Sequence, residues 1–172
     1  MRILTDQEIA GLISETKVVP DNWFSRLLPK DKAHYRHKER EIDIEGSNGN
    51  LFRVIVRHSN LNVMDFSIIL TLREKASNVE YILIRYNGKH SSMHTNKWEK
   101  DNGVPNHRFG PAFHIHRATQ RYQESGYKID GFAEATAKYS DFHTALNQFL
   151  LECNFKPDEN GQPSLFKGGG IL

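Results

Sequence analysis

The chain has one cysteine, Cys153. That excludes an internal disulfide framework and any CxxC zinc or redox pair. No run of 18 apolar residues occurs, so no transmembrane helix and no membrane partner are expected. The opening stretch MRILTDQEIAGLISE carries acids where a signal peptide needs an unbroken apolar segment. A soluble cytoplasmic protein is the expectation. GxxxxGKS/T, GxGxxG after a strand, GxSxG and HExxH are all missing. P-loop hydrolysis, Rossmann cofactors, hydrolase triads and zincin proteolysis are therefore not expected.

What is present suits one globular domain. The 172 residues are 38% apolar and 26% charged, enough to bury a core without a disulfide or a structural metal. The net charge of +2 is unevenly spread. Residues 81–128 hold 8 Lys/Arg against 3 Asp/Glu, and residues 129–172 hold 3 against 6. A local basic excess draws anionic partners such as RNA, although a solvated surface gives the same count. Histidine is the sharper anomaly. Five of the nine, His90, His94, His107, His114 and His116, fall within 27 residues. Histidine titrates near neutrality and is the commonest metal ligand, so the cluster raises both kinds of chemistry.

Periodicity gives the element order. Thr5-Asp6-Gln7-Glu8 is a capping box, and Ile9, Leu12 and Ile13 follow at helical spacing. Trp23, Phe24, Leu27 and Leu28 read as a short helix between Pro20 and Pro29. Residues 37–45 and 51–58 flank GSNGN as a hairpin. Further strands are read at 65–73 and 79–86, with a turn at 74–78. Residues 89–111 are polar and aperiodic, a long loop. Residues 112–116 (AFHIH) read as a short final strand, 117–125 as a helical turn ending at Gly126, and 127–139 as irregular. Ser140 is read as the N-cap of a closing helix whose stripe is Phe142, Ala145, Leu146, Phe149, Leu150 and Cys153. The tail from Lys156 has two prolines and four glycines and is expected to be mobile. The expectation is one α+β domain over 1–155: an antiparallel sheet of about five strands, helices on one face, the other face open.

Strand alternation puts His114 and His116 on one face and Phe113 and Ile115 on the other. Two such imidazoles can act as acid and base, or hold a metal if a third ligand comes from His90, His94, His107 or Asp130. They are equally readable as surface histidines. With no cysteine or carboxylate at firm spacing, no tightly held metal and no cofactor are expected. Arg117 and Arg121 are four apart, so a helix there would present both guanidinium groups together as a phosphate clamp. Tyr122 beside them could donate a proton or stack on a base. Arg85, His94, His107 and Arg108 are further candidate substrate contacts.

Arg85-Tyr86-Asn87-Gly88, then His90 and His94, then Phe113-His114-Ile115-His116, then the helix from Ser140 together resemble the small TumE-like toxins of prokaryotic toxin–antitoxin pairs. The likeness covers about residues 50–153. This loop is longer, the histidines after the asparagine are not adjacent, and 117–139 has no counterpart. The resemblance implies a toxin-like or defence role. With the basic segment and the His, Arg and Tyr side chains, the expected function is action on RNA as a metal-independent endoribonuclease. His114 and His116 would be the acid–base pair and Tyr122 an assisting group, with an antitoxin or other protein as partner. The alternative is a non-enzymatic module that binds protein or nucleic acid through the open sheet face and loop 89–111. Nothing in the sequence fixes an oligomeric state.

Overall fold

The structure, a computed structural model, describes residues 2–20, 23–27, 37–75, 77, 79–89 and 92–158. Strand propensity and alternation build its centre. β2 (His37–Glu45), β3 (Leu51–Ser59), β4 (Phe66–Arg73) and β5 (Glu80–Asn87) run as an antiparallel meander. β8 (His114–Arg117) pairs with β5, and β9 (Phe132–Ala135) pairs with β8, both antiparallel. The six-stranded sheet thus has the order β2-β3-β4-β5-β8-β9. AFHIH is therefore an inner strand rather than the last. Its outer neighbour, β9, lies in the stretch read as irregular, because FAEA is too short to show a period.

Helices α1 (Asp6–Ser14) and α5 (Phe142–Glu152) supply their apolar stripes to the core. The capping box of α1 forms as expected: Glu8 N–H donates to Thr5 Oγ1 at 3.1 Å, and Thr5 N–H to the Glu8 carboxylate at 2.7 Å. In α5 the cap is Asp141, not Ser140. Its carboxylate accepts from Thr144 N–H at 2.8 Å, and Thr144 Oγ1 accepts from the Asp141 N–H at 3.2 Å. Phe149 is fully buried and meets Tyr86 edge-on at 5.7 Å between ring centroids. Of the aromatic cluster near the N-terminus, α2 (Trp23–Leu27) forms, and Trp23 packs on Phe155 at 5.2 Å. Leu28 and Pro29 lie outside the described residues.

Two short strands missed by periodicity, β1 (Lys17–Val19) and β10 (Phe155–Pro157), pair in parallel. Lys156 and Pro157 are thus strand, not tail; residues 159–172 lie outside the described residues. Lys17 is fully buried. Its ammonium donates to the carbonyls of Leu12, Ile13, Glu15 and Cys153 at 2.7–3.1 Å, so one side chain closes the C-terminal ends of both α1 and α5.

The expected open face is open only in part. Over β2–β4 it is a lattice of charges, with Arg53 at 2.7–3.2 Å from Glu41, Asp43 and Glu80. Over β5 and β8 it is covered. The segment read as a loop leaves β5, folds as β6 (His94–Thr95), α3 (Lys97–Asp101) and β7 (Arg108–Phe109), and returns to β8.

Phe149→Ala empties a buried aromatic site and should cost roughly 3–5 kcal/mol. A chemical-denaturation midpoint unchanged from the parent would show that α5 does not pack as described.

Candidate metal and anion site

The site starts with a break in β5. Leu70 pairs with Ile84, but Thr71 pairs with Ile82, so Leu83 is an extra residue on β5. Below the bulge Tyr81 is a core residue; without the bulge Leu83, Arg85 and Asn87 would follow it onto the core face. The bulge instead sends Ile84 and Tyr86 inward and Arg85 and Asn87 to the opposite face. The Leu83 carbonyl is taken by Ala118 N–H at 2.9 Å.

β8 presents its histidines to that same face. His116 stands across from Arg85 and His114 across from Asn87. Ile115 and Phe113 pack with the core, as their alternation required. The histidines are not on open surface: His114 is 2% and His116 5% exposed. The folded excursion above them explains this. Its seat is Asn96, whose side-chain amide accepts from Ala133 N–H at 2.8 Å and donates to Ala133 C=O at 2.9 Å, in the manner of a strand neighbour. This sets His94 against the pair, with ring centroids 4.8 Å from His116 and 5.7 Å from His114. Phe109 packs on both His94 and His114.

One ring nitrogen from each of His94, His114 and His116 lies within 4.8 Å of the others. Each ring also sets a nitrogen against a protein oxygen. His114 Nδ1 donates to Ala112 C=O at 2.8 Å, His116 Nδ1 to Asp130 C=O at 2.8 Å, and His94 Nε2 to Asn96 Oδ1 at 2.9 Å. Such carbonyl-type partners fix the tautomer and orientation of imidazoles that ligate metal. Asn87, itself accepting from Ser67 Oγ at 2.8 Å, donates to His114 Nε2 at 3.1 Å. Burial, reinforced by the Arg85 charge, pushes His116 down to about 2, so it is neutral throughout the physiological range.

Beside the histidines a cavity of about 360 Å³ opens between the sheet, the start of α3 and residues 126–131. Arg85, Lys97, Lys128 and Asp130 line it, with the rings of Tyr122 and Tyr127. Asp130 is fully buried and pairs with Arg85 at 2.8 Å and Lys128 at 3.2 Å. Gly131 lets the turn close onto α4 (Gln120–Glu124), since a Cβ there would stand 2.5 Å from the Tyr122 ring.

The structure therefore gathers Arg85, His94, His116 and Tyr122 around one cavity, with His114 against the histidine pair. Tyr122 donates to buried Glu99 at 2.6 Å, and Arg121 binds the same carboxylate while lying over the Phe132 ring. These two tie α3 to α4. Arg117 is a correction. It belongs to β8, not to a helix with Arg121, and strand alternation turns it to the far face, where it pairs with Glu152 at 2.5 Å. It cannot clamp a group bound at His114 and His116. His107 and Arg108 lie outside the cavity wall, bonded to Val104 C=O and the Met93 sulfur. His90 lies outside the described residues. Sequence reasoning missed Asn96, Lys97, Tyr127 and Lys128. A buried asparagine two residues after a single histidine carries no periodic signal.

No family model matches the chain, and no curated protein or solved structure matches it either.

Asn96→Ala removes both bonds to Ala133 and the acceptor of His94. It should cost roughly 2–4 kcal/mol, at about 1 kcal/mol per bond plus the backbone groups left unpaired. Hydrogen exchange should quicken across residues 94–109 while β3 and β4 stay protected. Unchanged protection of 94–109 would show that Asn96 is not the seat of the excursion.

Proposed function

We propose that His94, His114 and His116 hold one divalent transition-metal ion and that the protein is a metal-dependent hydrolase or lyase. The observation that carries this is three ring nitrogens within 4.8 Å of one another, each ring fixed from behind by a protein oxygen, beside a cavity. Three neutral imidazoles suit zinc and its neighbours and leave a coordination position open. They add no negative charge, so an ion held there would keep its full charge and would supply Lewis acidity and an activated water. The cysteines and carboxylates whose absence argued against a metal are not needed by this donor set. Any approach of the rings that an ion needs would fall to His94, which the excursion rather than the central sheet carries. The metal would also take the His114 Nε2 position that Asn87 now fills, a cost of about 1 kcal/mol for one neutral hydrogen bond.

Metal-independent RNA cleavage, the expected use of the histidine pair, needs one imidazolium to protonate the leaving group. His116 is poorly suited, since burial and Arg85 keep it neutral. Chelation separates the two readings: RNA cleavage that persists in EDTA would favour the acid–base pair.

Purified protein dialysed against zinc should retain about one ion per chain by elemental analysis. His94→Ala leaves the sheet intact and should weaken zinc at least about 100-fold, beyond the loss typical of an outer-shell partner. Parent protein that holds no zinc, cobalt or nickel overturns the proposal.

A further inference from the structure

We infer, on the metal reading of the three histidines, that the cavity takes a small organic anion, a carboxylate or phosphoryl group on a flat body, and that anion and metal bind cooperatively. Charge is the reason. Three cations line the cavity, Arg85, Lys97 and Lys128, against one carboxylate, Asp130. That carboxylate is already shared by Arg85 and Lys128. Lys97 makes no ion pair with a described residue. The cavity thus holds an excess of two positive charges before any metal enters. Neutral histidines bring none of the negative charge that carboxylate or thiolate ligands supply elsewhere. A dication raises the excess to four, next to a guanidinium held in a largely buried position. Repulsion of that kind weakens metal binding, and an anion in the same cavity relieves it.

Shape narrows the anion. A volume of about 360 Å³ is at the small end for ligand sites and accommodates one compact molecule rather than a polymer strand. Tyr122 and Tyr127 supply ring surface beside the cationic groups, which suits a planar body carrying a charged head. Lys97 and Lys128 reach from two separate elements, the start of α3 and the turn before β9, and so meet the head from two sides.

Linkage makes the effect reciprocal: whatever factor the anion adds to metal affinity, the metal adds to anion affinity. The test is a cobalt(II) titration followed by visible absorption, alone and with benzoate or phenylphosphonate. For the parent, one of the two anions should tighten cobalt about tenfold, within the usual range of such coupling. Which anion does so assigns the head as carboxylate or phosphoryl. In the Lys97→Met, Lys128→Met double variant, both changes fall on exposed side chains. That variant should bind cobalt more tightly than the parent without anion and gain less than about twofold from either anion. Equal cobalt affinity with and without both anions in the parent overturns the inference, and so does full enhancement in the double variant. If cobalt fails to bind under every condition, the metal reading falls and the coupling falls with it. The anion then stands or falls on its own: saturation-transfer NMR should show benzoate or phenylphosphonate on the metal-free parent and not on the double variant.

Discussion

One extra residue in β5 governs where the polar side chains go. Because Leu83 has no partner on β4, the strand changes faces between Ile82 and Ile84. Arg85 and Asn87 then stand in register with His116 and His114. In an unbroken strand the guanidinium and the amide would enter the apolar core, at a desolvation cost that nothing there could offset. Everything above the sheet depends on this shift. It supplies the floor of the cavity, the Asn87 bond that orients His114, and the guanidinium that pairs with Asp130. On its other edge Leu83 still pairs: Ala118 takes its carbonyl and so anchors the chain where β8 ends.

The lid over that floor is fastened by polar pairing as well as by the packing of Phe109. Asn96 imitates a strand neighbour to Ala133, and Glu99 gathers Arg121 and Tyr122. In a dry setting such bonds are strong when complete and costly when one member is missing. They also explain how three imidazoles can be packed within ring contact of one another. Burial keeps His116 neutral, and each ring sets one nitrogen against a protein oxygen.

Legibility followed physical range. The meander, α1 and α5 were readable because alternation and the 3.6-residue stripe act within a few residues, and Phe52, Val54, Val56 and Phe149 occupy the core positions that pattern assigns. The pairing of His114 with His116 was readable for the same reason. The third histidine was only one of several named candidates, because selecting His94 depends on Asn96 meeting Ala133, 37 residues away. The bulge was invisible, since Ile82-Leu83-Ile84 is apolar whichever residue is left over. That hidden shift, and not any weakness in the alternation rule, is why Arg85 faces the histidines. Arg117 was misplaced because a helix was assumed where the strand in fact continues.

Lys17 has a consequence for how the chain is made. Its ammonium needs the carbonyl of Cys153, 136 residues later, as well as those that end the first helix. A nascent chain emerging amino end first therefore carries this lysine, with Phe52 stacked near it at 4.3 Å in the finished fold, long before its last acceptor exists. Closure of so long a loop is slow and comes late. Until then the first helix and the early hairpin lack the acceptor that completes the bonds of the lysine. Translation that stops short of α5 should yield not a smaller folded protein but a substrate for degradation.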